Sequence, residues 1–392
     1  MKNERRMKIA MVSDVFDGSR NGAMVSTERF VNLLRKKHEV TVLSTGEELP
    51  GKVVLPSFYV PIPGIRSIME KTGFPFAWPK RELLEKAFTD ADIIHIQFPF
   101  YLGIRALSIA RKMGVPVVAS FHVQPENMIY SLGIKSDYFL KILYRFFLKR
   151  MYNKVEAVIC PSKFAETELK SFGLTTPSFV ISNGIMPEFR PVKVTKDDAL
   201  KDKFIIYSVG RLAREKRHDL IMEAIMKSRH RESIQLILAG KGPLMGQLIE
   251  RGKAMPVRPI IGYVSHTDLM KYYNMADLYV HTSEVELESL TVLEAIACGL
   301  PVLISDSKTS AAQQFALNDA FLFSSGDSRD LADQIDYWFE HRKELAKASK
   351  DYFELSKRYR IEKSVEKLEY VYNEVLSMGS NMNAFEGSNH PG

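Results

Sequence analysis

Cysteine is scarce in this chain: two residues among 392, Cys160 and Cys298, each inside an apolar stretch. Two buried thiols make no disulfide framework and suit a reducing compartment. Long hydrophobic runs are also missing. Without about 18 uncharged apolar residues in a row, no membrane-spanning helix is expected. The opening MKNERRMKIAMVSDVF is charged and its apolar run is short and strand-like, which predicts no secretory leader. No GxxxxGK(S/T) loop and no GxGxxG fingerprint occurs, which counts against an ATPase and a nicotinamide enzyme. No HxxH, no CxxC and no Asp-rich loop with a turn glycine is present, so no metal site is expected.

What is there is an ordinary globular composition, 45% hydrophobic and 26% charged, in a chain long enough for two domains. The net charge of +7 is unevenly placed. Residues 1–190 hold 27 Lys/Arg against 18 Asp/Glu, and residues 191–392 hold 27 against 29. A basic half joined to a near-neutral half predicts that the first domain meets something anionic, a nucleic acid or a membrane surface.

Short β-branched runs alternate with helical patterns throughout. In the first half, 7–15, 38–44, 92–97, 115–122, 157–162 and 178–184 read as buried strands, with helices at 23–37 and 101–113. In the second, 203–211, 234–240, 258–264, 276–283, 301–305 and 320–325 repeat the scheme. Helices are expected there at about 217–229, 243–252, 267–275, 291–298 and 328–341. Continuous apolar strands separated by helices predict parallel sheets covered on both faces. The expected fold is α/β: two doubly wound Rossmann-like domains, their strand carboxyl ends facing a central crevice. The boundaries are an N-terminal domain at 1–188, a C-terminal domain at 189–358, a last helix at 359–378 and a disordered tail at 379–392. The last helix is expected to pack back towards the N-terminal domain.

Two stretches of the second half suit a diphosphate. SVGRLAREK ends a strand at Gly210 and supplies Arg211 and Lys216, one a forked donor and one a point charge. In EVELESLTVLEAIACGLPVL (284–303) the pattern turns helical near Ser289, so the amides of Ser289, Leu290 and Thr291 would open a helix as an anion site. AGKGP, with Gly242, and IGYV, with Tyr263 and Val264, are further strand-to-loop turns where backbone could approach a base. The glutamates of EVELE admit three readings: a hard-cation site, a solvated loop, or a pair formed by Glu286 and Glu294 reaching one crevice.

The order GR…EK, AGKGP, GYV, E-x7-E and ACGLPV resembles family 4 glycosyltransferases, retaining enzymes of the GT-B fold that use nucleotide sugars. SFHVQPE, CPSKF, ISNG and QQFAL make the whole chain similar to bacterial lipid α-glycosyltransferases, of the cholesterol α-glucosyltransferase and diacylglycerol glucosyltransferase types. That resemblance implies roles for individual residues. Arg211 and Lys216 would hold the diphosphate and stabilise the leaving group. Glu286 would contact the donor sugar and Glu294 the ribose. Gly22 would lie close to the phosphates, Gly210 of the GR…EK motif counts among the nucleotide-binding residues, amides near Tyr263 would meet uracil, and His122 would lie near the sugar. Where the family usually has Phe-Gly or Tyr-Gly, this chain has Glu288-Ser289. Losing that glycine narrows backbone freedom and brings an extra carboxylate near a phosphate site. The front-face mechanism favoured for the family implies no metal and no cofactor, the UDP-sugar being the donor substrate.

KSDYFLKILYRFFLKRMYNK (135–154) carries six Lys/Arg against one Asp, interleaved with aromatic and aliphatic residues. Lys141, Arg145 and Lys149 share one helical face, with Leu140, Leu143, Phe147 and Met151 across from it. This reads as an interfacial basic helix, or else as a helix packed on the sheet with a basic solvent face. The aromatic, Pro-rich stretch 57–79 would either dip into lipid or join the core. No nucleic-acid module is recognisable, so the expected partners are a UDP-hexose, a membrane lipid acceptor and an anionic membrane surface. The expected protein is cytoplasmic and peripherally bound to the inner face of the cell membrane. It would move a hexose, glucose first, from a UDP-sugar to a diacylglycerol, sterol or ceramide hydroxyl. The alternatives are transfer to a cell-surface polysaccharide or undecaprenyl-linked precursor, a UDP-sugar epimerase of the same fold, and a catalytically inactive nucleotide-sugar binder.

Overall fold

A computed structural model describes residues 5–17, 22–61, 66, 74–131 and 136–387. Parts of five sequence readings lie outside these residues: residues 1–4 of the charged opening, the start of SRNGAMVST, about half of the stretch 57–79, Lys135 of the basic stretch 135–154, and the last five residues of the tail. The chain divides into two compact units, Met1–Asn183 with Glu362–Gly392, and Gly184–Ile361. The sequence joints were expected at 188/189 and 358/359. The last helix runs Ile361–Gly387, so its backbone continues past 378, where a tail was expected.

Among the described residues, the first unit holds a seven-stranded sheet. Its strands are β1 (Lys8–Val12), β2 (Glu39–Ser44), β3 (Lys52–Val54), β6 (Ile93–Ile96), β7 (Val117–Ser120), β8 (Ala157–Cys160) and β9 (Ser178–Val180). They lie in the order β3-β2-β1-β6-β7-β8-β9, every pairing parallel. A short antiparallel pair, β4 (Ser57–Phe58) and β5 (Phe76–Ala77), stands apart. The apolar runs are continuous because the central strands are covered on both faces: Ile93–Ile96, Val117–Ser120 and Ala157–Cys160 are buried at every position. β3 to β5 escaped the sequence reading. Each is two or three residues long and only partly covered, too short for a periodicity to register.

The second unit repeats the plan with six strands among the described residues. These are β10 (Phe204–Val209), β11 (Ile234–Ala239), β12 (Ile260–Gly262), β13 (Leu278–His281), β14 (Val302–Ser305) and β15 (Leu322–Phe323). The order β12-β11-β10-β13-β14-β15 is parallel throughout. Both sheets reverse their winding direction once, at β1/β6 and at β10/β13. In such sheets ligands bind outside the strand carboxyl ends at that reversal. Two helices, Ser328–Glu340 and Arg342–Ser356, follow one another with a break at His341, and the second of these was not foreseen.

The terminal helix belongs with the first unit through polar as well as apolar contacts. Val365, Leu368, Tyr372 and Val375, at three- and four-residue spacing, are buried. Glu369 accepts from Lys37 Nζ at 2.9 Å and from His38 Nε2 at 3.1 Å, while His38 Nδ1 accepts the Met7 amide. The Tyr372 hydroxyl lies 2.7 Å from His95 Nδ1, and His95 Nε2 lies 2.8 Å from Ser120 Oγ. Burial lowers the His95 pKa to about 3, so the ring is neutral and needs one donor and one acceptor. Tyr372→Phe leaves a buried imidazole nitrogen unsatisfied and should cost about 1–3 kcal/mol. A urea melt checks this, and an unchanged midpoint would show the tether to be dispensable.

Candidate functional site

The reversal in the second unit sets the loop after β10 beside the loop after β13, and these carry most of the candidate residues. β10 leads into Gly210, whose amide bonds to Ala239 O at 3.0 Å, while the Gly240 amide bonds to Gly262 O at 2.7 Å. Leu212 N donates to Lys241 O at 2.9 Å and Leu244 N to Leu212 O at 2.9 Å. The loop after β10 and the loop after β11 therefore touch backbone to backbone. A Cβ at Gly240 would fall 1.9 Å from Gly210 O, and one at Gly242 would fall 2.4 Å from Leu212 O. Glycine at 242 is thus explained by internal packing, without any ligand.

On this platform three of the four cations in the loop 211–217 each face a carboxylate. Arg211 Nη2 meets Glu215 Oε1 at 2.7 Å, Lys216 Nζ meets Glu286 Oε1 at 2.5 Å, and Arg217 Nη1 meets Glu284 Oε1 at 2.6 Å. Arg217 has φ 50°, a left-handed conformation unfavourable for a branched chain and the only such non-glycine residue among those described. It is held there by Glu284 and by Asp219 at 3.4 Å. Glu284 is therefore an ion-pair partner.

The loop after β13 is fastened on both sides. Thr282 Oγ1 donates to Lys216 O at 2.7 Å, and Glu284 N to Glu215 O at 3.0 Å. Ser307 and Thr309 hydroxyls donate to Glu284 O at 2.7 and 2.6 Å. Glu286 bridges to Ser310: its amide donates to Thr309 O at 3.3 Å and its carbonyl accepts from Ala311 N at 2.8 Å. The Glu286 carboxylate is thus aimed by a backbone with little freedom.

Ser289 caps the helix Leu290–Ala297: its Oγ accepts from Val292 N and lies 3.2 Å from Thr291 Oγ1. Glu294 is buried within that helix and accepts from the Tyr273 hydroxyl at 3.3 Å, which also reaches Thr291 O at 3.2 Å. Tyr207 and Tyr279 ring it further, and burial pushes all three phenols above their usual range. Tyr263 is exposed, with Lys241 Nζ 4.6 Å from its ring centre, and Val264 packs partly buried against the core. Arg211, Lys216 and Glu286 therefore gather around one pair of loops. Ser289 to Glu294 share one helix, and Tyr263 and Gly242 stand on neighbouring turns.

Gly22 and His122 belong to the first unit. Gly22 opens the helix Gly22–Leu34. Thr27 on that helix donates to Gln97 Oε1 at 3.2 Å, and His122 Nε2 reaches the same oxygen at 3.2 Å. Burial lowers the His122 pKa to about 4, so the ring is neutral, donates from Nε2 and leaves Nδ1 as acceptor. His122, Gln97, Thr27, His95 and Ser120 line one cavity at the β1/β6 reversal. Thr27 and Gln97 were missed by sequence reasoning. The signal available was position alone, Gln97 being the first residue after β6.

Comparison with solved structures defines the fold. Anabaena HepE in complex with UDP and glucose aligns with a TM-score of 0.71 over 94% of this chain and all of that one, at 16% identity. Sucrose-phosphate synthase from Thermosynechococcus elongatus gives 0.72 over 95% of this chain, at 18% identity. The fold is GT-B. Residues 20–189 match the family model "Glycosyltransferase Family 4" and residues 191–354 match "Glycosyl transferases group 1". The chain belongs to this two-domain glycosyltransferase family. It is 25% identical over 251 residues to α-monoglucosyldiacylglycerol synthase of Streptococcus pneumoniae, 58% of this chain and 57% of that protein's length. The enzyme of the same name from Acholeplasma laidlawii is 24% identical, over 76% of this chain and 80% of its own. A GDP-mannose-dependent α-mannosyltransferase of Mycolicibacterium smegmatis is 26% identical, over 77% of this chain and 80% of its own.

Gly240→Ala tests the platform. The added methyl group would meet a carbonyl oxygen of another loop, so the cost should be about 2–3 kcal/mol, read as a lower denaturation midpoint. Wild-type stability in that variant would mean that the two loops separate without penalty.

Proposed function

We propose that this glycosyltransferase moves glucose from UDP-glucose to a hydroxyl of a membrane lipid, of diacylglycerol, sterol or ceramide type, giving an α-glycolipid with retention. The acceptor oxygen bonds to the sugar C1 as the bond from C1 to the β-phosphate oxygen breaks, and the acceptor proton passes to that phosphate. Arg211 and Lys216 neutralise the charge developing on the diphosphate, a task two preorganised cations perform without a divalent metal. Glu286 orients the sugar and Glu294 the ribose.

The helix Asp137–Arg150 carries the reading of a lipid acceptor. Its buried face comprises Tyr144, Phe147 and Leu148. It also has a second apolar stripe that the sequence reading overlooked. Tyr138, Phe139, Ile142 and Phe146 are 70%, 54%, 45% and 43% exposed. At 3.6 residues per turn they fall within about 100° of arc. Lys141 and Arg145 border that stripe on one side and Arg150 on the other, with Lys149 at its C-terminal end, all exposed. Four basic side chains at an anionic surface contribute about 1 kcal/mol each. Each large apolar side chain that becomes buried adds about 1.5–3 kcal/mol. Summed, the charges contribute about 4 kcal/mol and the apolar stripe about 6–12 kcal/mol, so the apolar side chains supply most of the binding and the basic ones set its preference for anionic lipid.

A run of rings supports the same reading. Exposed Trp78 and Tyr101 have ring centres 5.7 Å apart, Trp78 continues to Phe58, and Phe76, Phe100 and Phe98 follow at 4.9 to 5.9 Å. Phe98 lies 6.4 Å from the His122 ring. Relatives named for glycolipid synthesis, including a sulfoquinovosyl transferase of Arabidopsis thaliana, are consistent with such an acceptor. A second reading, transfer of mannose from GDP-mannose or to an undecaprenyl-linked acceptor, has the support of relatives so named.

Incubation with labelled UDP-glucose, UDP-galactose or GDP-mannose, with and without extracted lipids, separates these readings. Labelled α-glycolipid from UDP-glucose is expected, and its formation should persist in EDTA. An epimerised nucleotide sugar without labelled lipid would overturn the proposal, and loss in EDTA restored by magnesium would overturn the metal-free mechanism. For the docking face, the protein should sediment with anionic vesicles and be released by salt. Ile142→Ser with Phe146→Ser should weaken that binding by about 3 kcal/mol, roughly a hundredfold. Equal sedimentation with neutral vesicles would count against the surface.

A further inference from the structure

Behind the Lys216–Glu286 ion pair lies a histidine that none of the roles above uses. His281 ends β13, in register with Ile304 of β14, and is 4% exposed. Its ring lies nearly parallel to that of Tyr279, at 19° with centres 6.3 Å apart. Nε2 is 3.5 Å from Glu286 Oε1 and has no hydrogen-bond partner among the described residues. A buried side-chain nitrogen in a folded protein is ordinarily paired, so an orphan calls for an explanation. Burial, then Lys216 and His218, hold the His281 pKa well below the usual range, which keeps the ring neutral.

One oxygen, Glu286 Oε1, is therefore faced by two donors of different character. Lys216 is close, at 2.5 Å, on a flexible stem reaching from a partly exposed loop. His281 is fixed on a strand, slightly beyond hydrogen-bond range. If Lys216 turns to a diphosphate, Glu286 loses its counter-charge in a site with little water. Its carboxylate then needs another donor to stay aimed.

We propose that His281 is a positioning residue that takes over Glu286 Oε1 when Lys216 leaves it for the donor diphosphate. The exchange moves no proton: Nε2–H of a neutral imidazole closes on the carboxylate by roughly half an ångström to ordinary hydrogen-bond length. Lys216 is released to the phosphate while Glu286 keeps one partner in either state. This rests on the reading of Lys216 and Glu286 as donor contacts.

His281→Phe removes the donor and should lower kcat roughly ten- to hundredfold with little change in melting temperature. His281→Gln, which returns an N–H near the same place, should recover most of that loss. In the wild-type protein with labelled histidine, saturation with UDP should shift the His281 Nε2 proton and nitrogen resonances downfield. Lys216→Ala and Glu286→Ala serve as controls and should abolish turnover. If both are inactive while His281→Phe turns over like wild type, the exchange is refuted and the donor reading stands. If Lys216→Ala and Glu286→Ala remain active, the donor reading itself fails. Should His281→Phe not fold, a resonance unmoved by UDP refutes the exchange by itself.

Discussion

The amide of Glu284 donates to the carbonyl of Glu215 at 3.0 Å, and much of the second unit's site depends on that contact. It joins the loop leaving β10 to the loop leaving β13, strands adjacent only because the sheet reverses its winding there. With Thr282 Oγ1 on Lys216 O, it lines up two short sequences, Glu215-Lys216-Arg217 and Glu284-Val285-Glu286, so that their charges cross-match. Lys216 faces Glu286 and Arg217 faces Glu284. Neither pairing is visible along the chain, since about 70 residues of helix and strand separate the partners.

The same contact explains why so much negative charge stands beside a site expected to bind an anion. A loop carrying Arg211, Lys216 and Arg217 would repel itself if left bare. Three carboxylates hold these cations close together, and a diphosphate bound there as proposed would have to compete with them. The pairs are partly exposed, so each is worth little to stability. Their importance lies in preorganisation, because cations already gathered need less reorganisation when charge develops in a transition state. On the proposed donor reading, affinity for a nucleotide would be reduced to the extent that the carboxylates resist displacement. A second donor for Glu286, such as the one proposed in His281, would lessen that resistance.

The strands of both sheets were legible because burial on two faces leaves continuous apolar runs, as in IIHI and FIIYSV. The strand-end loops were legible for a related reason: the glycines at 240 and 242 record a place where two backbones touch. What stayed hidden was either short or non-local. β3, at three residues, has no period to read. The ion-pair role of Glu284 depends on a partner 67 positions away. His281 looks like any core residue of a strand until its unpaired nitrogen is seen against Glu286. The helix Asp137–Arg150 was read with one apolar face because the sequence supplies two, and only burial distinguishes the covered stripe from the bare one.

The dipeptide Glu288-Ser289 departs from the family's aromatic-glycine pattern, and the structure alters what that departure costs. Ser289 has φ −123° and ψ 104°, extended geometry that any residue adopts, so no glycine is required there. Its hydroxyl caps the following helix, and serine is a somewhat better cap than glycine. The lost glycine is therefore offset locally. Glu288 is buried, and after burial itself its charge is the next cause raising the Tyr359 phenol. A buried carboxylate is costly unless its oxygens are bonded, so its neighbours are constrained with it. An aromatic residue at 288 would make no such polar demand on its surroundings. The departure thus exchanges one packing solution for another at the foot of the helix that bears Glu294.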